Sequence, residues 1–177
     1  MFYEKNYFFV FISFFSLTVS KCFAQIYLSI DGIAGGVNSK GLKGAIELSS
    51  VQMEASNSAR VGTNGGLSAG KVSLSEIAMT MNRGNASPAI QLYVFNGKQI
   101  PKAEIKFFKQ GSSTPYLTVT LENVIISNWS LSSGGDNPSE SFSIAFAKIK
   151  TEDAVTNPDG SIKMNKVSWD VIRNTAN

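Results

Sequence analysis

The sequence predicts an all-β, mainly antiparallel fold, a sandwich or barrel with one short helix laid against it. Three observations predict it. From residue 25 onward, β-branched and aromatic residues alternate with polar ones in short runs. Clusters of Ser, Asn, Thr and Gly separate those runs. A single segment carries helix punctuation at both ends.

The runs follow in order. Ile26, Leu28 and Ile30 alternate with Tyr27, Ser29 and Asp31 until Gly32, Gly35 and Gly36 break the pattern. Ile46 and Leu48 mark a second strand. Val72 and Leu74 start a third, and Ile77, Met79 and Met81 resume on the other parity, which predicts a bulge between them. Ala103, Ile105 and Phe107 form the next inward set, followed by Leu117, Val119 and Leu121. That last parity continues through Ile125, Trp129 and Leu131. Phe142, Ile144 and Phe146, and then Val167, Trp169 and Val171, complete the set. Gln110–Ser113 and Asn157–Gly160 read as hairpin turns. The helix is predicted between Ser87, as N-cap, and Gly97, with Pro88 in its first turn.

The N-terminus has the order of a secretory signal. A short polar start containing Lys5 precedes an almost wholly apolar run, 7–19, and Cys22 and Ala24 place small residues at a signal-peptidase site. The run is shorter than the roughly 20 residues a spanning helix needs. Residues 1–24 are therefore expected to be a removed signal peptide, and 25–177 a single domain with no stable membrane insertion after cleavage. Lipidation of Cys22 is disfavoured, because Lys21 stands where a small residue is required.

Composition then excludes much chemistry. The chain contains no histidine, so histidine-based triads and histidine metal sites are impossible. Its one cysteine lies in the leader. Removing the leader lowers the net charge from +3 to +2, and no basic stripe marks a nucleic-acid partner. Gly65–Lys71 nearly spells a phosphate-binding loop, but Val72 stands where Ser or Thr would hold magnesium, and a strand follows instead of a helix. The turn at Asn157–Gly160 faintly resembles a calcium loop, but Lys166 occupies the closing acidic position. Glu104 and Glu122 are the only carboxylate pair suited to acid–base work, and their Lys and Thr neighbours read as a solvated face. Trp129 and Trp169 sit on apolar parity and are expected to pack in the core. No catalytic residue, cofactor or metal is expected.

The long Ser-, Asn- and Gly-rich stretch from Met53 to Gly70 is too long for an ordinary connection and suggests a functional loop. Several ordered stretches resemble one known family. They are Ile26–Gly35 with its Asp31-Gly32-Ile33 turn, Ala45–Leu48, and Ala86–Pro88 leading into a helix closed by Asn96-Gly97-Lys98. Glu122–Ser127 with Ser133-Gly134-Gly135, Pro138–Ile149, and Ser168–Val171 with Asn174 complete the set. Together they resemble the haemolysin co-regulated protein family of bacterial type VI secretion.

The resemblance implies a small β-barrel with one flanking helix and a long extended loop. It implies a tube protein whose copies form a homohexameric ring that stacks, with effectors in its lumen and the spike or sheath as further partners. It places inter-ring contacts on the loop, for which Met53, Ser56, Asn57, Arg60, Asn64 and Leu67 are the candidates. The leader supports a second expectation, a secreted or periplasmic relative that uses the same barrel as a binding module outside any contractile tube. Without a functional leader the chain would begin in the bacterial cytoplasm.

Overall fold

A computed structural model describes residues 25–61, 66–68 and 70–176. The predicted leader and Asn64 lie outside the described residues. Strands β1 (Gln25–Ile30), β2 (Ile46–Leu48) and β3 (Ser50–Gln52) are followed by four very short strands: β4 (Ala55–Asn57), β5 (Arg60–Val61), β6 (Leu67–Ser68) and β7 (Val72–Leu74). Then come β8 (Ile77–Asn82), helix α1 (Ser87–Asn96), β9 (Ile100–Phe108), β10 (Pro115–Ser132), β11 (Ser139–Thr156), β12 (Ile162–Asp170) and β13 (Thr175–Ala176). Every pairing is antiparallel.

The pairings run in a circuit. β1 pairs β9, β9 pairs β10, β10 pairs β11, β11 pairs β8 and β8 pairs β3. β3 continues almost directly from β2, which returns to β1. The segment Ile46–Gln52 thus changes partner at Ser49, whose N–H donates to the Thr80 carbonyl at 2.8 Å. That crossing curls the sheet back toward its first strand around the core. The alternating residues named above fill it: Leu28, Ile30, Leu48, Ile77, Met79, Met81, Ile105, Val119, Leu121, Phe142 and Ile144 are all buried together. Trp129 packs against this core, while Trp169 is half-buried on β12.

Bending so small a sheet requires the strands to change the face they turn inward. Three of them do so at one level. Ala103 and Leu121 are buried neighbours, and the next buried pair is Ile100 and Val124, three residues on in each strand instead of two. On β11 the inward residue passes from Ile149 to Phe146 at the same level. Asn123, with φ of 52°, marks the kink on β10. A register shift between Ile126 and Asn128 then restores the earlier parity.

Several expectations are corrected by this geometry. Ile125 is exposed, and Val124 and Ile126 are buried in the core, because the kink at Asn123 inverts the alternation; Leu131, near the end of β10, is exposed although the parity has been restored. β10 and β11 are 18 residues each, far longer than the short runs expected, since they coil around the barrel and extend beyond it. The parity change between Leu74 and Ile77 is no bulge: β7 and β8 belong to different sheets. Tyr27 is buried although it points away from the main core. It packs edge-on against Phe108 under the 32–45 segment, with Ala45, Val37 and Leu42.

The helix is where punctuation placed it, with one change. Ala86, in helical conformation, occupies the N-cap and makes no side-chain cap. Ser87 is already inside, and its hydroxyl accepts the Gly84 N–H at 2.9 Å. Gly97 closes the helix in the left-handed conformation, as expected. Ile90 and Tyr93 face inward, and α1 packs on β10. Both predicted hairpin turns form. The Ser112 N–H reaches the Lys109 carbonyl at 3.0 Å, and Gly160 N–H reaches that of Asn157 at 3.0 Å.

Candidate functional site

Three features lie outside the core: an arm, a cleft and a charged face. The arm replaces the expected loop. β4 pairs β7, with Ala55 opposite Leu74 and Asn57 opposite Val72, and β5 pairs β6, with Arg60 opposite Ser68 and Val61 opposite Leu67. The Ser75 N–H closes its base on the Glu54 carbonyl at 3.1 Å. Midway, the Asn57 side-chain carbonyl accepts the Gly70 N–H at 3.1 Å. Only glycine fits at position 70, where a Cβ would lie 2.4 Å from the Ser58 carbonyl oxygen. Backbone pairing, and no buried cluster, shapes this segment.

The candidate contact residues other than Asn64 fall in this one segment. Met53 is exposed between β3 and β4, Ser56 and Asn57 are exposed on β4, Arg60 is on β5 and Leu67 is on β6. The Gly65–Lys71 stretch contributes β6 to the arm and leads into strand β7, so the strand-to-helix frame of a phosphate-binding loop is not built there. In the turn at Asn157, the Asp159 carboxylate accepts both the N–H and the hydroxyl of Ser161. Ser161 thereby holds Asp159 below its ordinary value.

The cleft lies between segments 35–39, 46–49 and 81–86 and measures about 930 Å³. Its walls carry Gly35, Gly36, Asn38, Ser49, Asn82 and Asn85, and Glu47 is its only charged lining residue. Gly35 is pressed so closely on the Ala45 carbonyl that no Cβ would fit. Sequence reasoning did not find this cleft, because it is made by three turns and strand ends with no shared pattern.

The charged face spans β9 to β12. Lys106 and Lys102 approach Glu104 at 2.9 and 3.6 Å, Lys148 approaches Glu122 at 3.7 Å, and Lys150 and Lys166 approach Glu152 at 3.1 and 2.9 Å. Partial burial works to raise Glu104, but the hydrogen bond and charge of Lys106, with Lys102, leave it below its ordinary value. Lys166 and Lys150 do the same for Glu152. A general acid needs the opposite shift, so Glu104 is held as an ion-paired carboxylate. Among the described residues, no group of three or more acidic or thiol side chains could hold a metal. No helix among them is long and apolar enough to cross a membrane.

The family profile described as "Type VI secretion system effector, Hcp" matches residues 27–152. The chain belongs to the Hcp family. Its likeness to solved Hcp proteins is almost end to end. Hcp1 from Salmonella typhimurium is 25% identical, with a TM-score of 0.73, over 87% of this chain and 99% of that one. A structure titled as a type six secretion system protein has a TM-score of 0.79 at 22% identity, over 87% and 99% of the two chains. A type VI secretion system effector from Yersinia pestis follows at 0.65 and 20%, over 82% and 99%. No curated protein matches the chain in sequence. The fold expected from the residues is thus the Hcp fold, and the chain is an Hcp-family tube or effector protein of type VI secretion.

Proposed function

We propose that this Hcp protein acts as a ring-forming structural subunit, a homohexamer that stacks into a tube and works through shape and not catalysis. The observation that carries the reading is the arm. Its residues 53–59, Gly66, Ser68, 70–71, Ser73 and 75–76 are exposed, and Val72 and Leu74 are half-buried. A segment ordered this way gains its stabilisation from another molecule.

Two apolar patches support a head-to-tail ring. Helix α1 has no charged residue, and its outer face shows Leu92 at 56% and Phe95 at 71% exposure. Separately, one face of β12 shows Ile162 and Met164. Head-to-tail contacts need two different patches on one chain, and a repeated rotation closes them into a ring. The contact residues on the arm are Met53, Ser56, Asn57, Arg60, Asn64 and Leu67. Native mass spectrometry tests the reading: a mass of six copies is expected, and a strict monomer at high concentration would overturn it.

The leader favours a second reading. Residues 1–24 have the composition of a cleaved signal. On that reading the barrel is exported as a binding module of the periplasm or cell exterior. The same mass measurement reads the mature N-terminus and so separates the two.

A further inference from the structure

We infer that the cleft between segments 35–39, 46–49 and 81–86 is a binding site for an uncharged, polyhydroxylated ligand, a short oligosaccharide by chemical class. One copy of the chain supplies the whole site, so it does not depend on ring formation.

The walls are fixed by the fold itself. On one side the Gly35 N–H donates to the Gly44 carbonyl at 2.7 Å, the Gly44 N–H to that of Val37 at 2.8 Å and the Val37 N–H to that of Ala45 at 3.2 Å. On the other side the Arg83 guanidinium is held by the fully buried Glu140 carboxylate. The Arg83 N–H adds a bond to the Pro138 carbonyl at 3.0 Å, and the Gly84 N–H donates to the Ser87 hydroxyl at 2.9 Å. A Cβ on Gly36 would lie 3.7 Å from Asn85 Nδ2, so the two walls come close there. Burying a carboxylate is costly, and the ion pair it makes here pins the turn that forms one wall. Walls held in this way lose little freedom when a ligand enters.

The side chains between the walls are not used by the fold. Asn38, Ser39, Ser49, Asn82 and Asn85 line the cleft and are exposed. Among the described residues, none of these five side chains makes a hydrogen bond to the protein. Amides and hydroxyls both donate and accept, as a sugar hydroxyl does. Glu47 is the only charged lining residue, and its two carboxylate oxygens can accept from two hydroxyls at once. No cationic side chain lines the cleft, which disfavours phosphates and other anions. Tyr27 stands opposite Glu47 across β1 and β2, and with Ile46 and Leu48 it gives the lining an apolar share. A pyranose ring divides its surface in the same way, with C–H groups on its faces and hydroxyls on its rim. The volume of about 930 Å³ is that of a ligand site.

Calorimetric titration of the full chain tests the inference, with maltotriose, cellotriose and chitotriose as probes and spermidine and inorganic phosphate as charged comparators. At least one trisaccharide should bind with a Kd below about 10 mM, and more tightly than either comparator. Asn82→Ala with Asn85→Ala should weaken that binding at least about tenfold. Both residues are exposed, so the double variant should unfold at the wild-type temperature. Asn128→Ala removes an exposed amide of β10 outside the cleft and should leave binding unchanged. Three results would each overturn the inference: no binding of any of the three trisaccharides, binding that the double variant leaves intact, or tighter binding of spermidine or phosphate. None of them bears on the ring reading, which the native mass decides.

Discussion

Between Gln52 and Ile77 the chain leaves a body whose side chains are sorted inward and outward and enters an arm whose side chains mostly face water. Both regions are antiparallel β-structure, yet they are held differently. In the barrel, strand pairing is backed by a continuous cluster that includes Leu28, Ile105, Leu121 and Ile144. In the arm, strands of two or three residues rely on backbone hydrogen bonds and the Asn57 contact to Gly70. An isolated hairpin is marginal in water. The barrel has its own buried core, and the arm does not contribute to that core.

Substitutions break this comparison at its strongest point first. Leu121→Ala and Ile105→Ala remove fully buried side chains and should each cost about 2–5 kcal/mol in denaturant unfolding. Ser56→Ala and Asn57→Ala on the arm should each stay within about 0.5 kcal/mol in the dilute protein. An equal loss at both places would show that the arm is part of the cooperative core. Next in size is Arg83→Ala, which strips the buried Glu140 of its ion-pair partner. Arg83 is partly exposed, so water softens the loss to about 2 kcal/mol, and Glu140→Gln added to Arg83→Ala should recover part of it.

Gly70→Ala sharpens the comparison from the other side. The new Cβ would collide with Ser58 and spread the two legs of the arm. Dilute-state stability should hardly change, whereas the assembled mass in native mass spectrometry should fall. The smallest effect is on pH. Glu104 lies below its ordinary value of 4.5, so its ion pairs stabilise the fold above that pH and are lost as the pH falls through the lowered value. Glu104→Gln should therefore flatten the acid limb of the stability curve below about pH 4.5 and leave neutral-pH unfolding little changed.

The same contrast explains what the sequence discloses. Wherever a strand has one buried face, as at Ile26, Leu28 and Ile30 or at Phe142 and Ile144, period-two alternation reveals it. Gly97 likewise marks the end of the helix, because a left-handed residue there favours glycine. The alternation misleads at Ile125, because the kink at Asn123 turns three strands together and cannot be read from one of them, and at Leu131, which lies near the exposed end of β10. Within the arm, β7 shows alternation at half-buried Val72 and Leu74, whereas β4 is exposed throughout and nothing selects a side-chain period there. The cleft is assembled from residues up to 59 positions apart, from Tyr27 to Ala86, that carry no common signature. The resemblance to the family was legible because it rests on the order of turns and strands, which survives where individual side chains diverge.

Amide hydrogen exchange, followed from dilute to assembled protein, tests most directly whether the arm is completed in trans. Strands β1, β9 and β10 should be protected at every concentration. Residues 54–75 should exchange fast in the dilute chain and slow markedly once copies associate. An arm that is as well protected in the dilute chain as in the assembly would contradict the account.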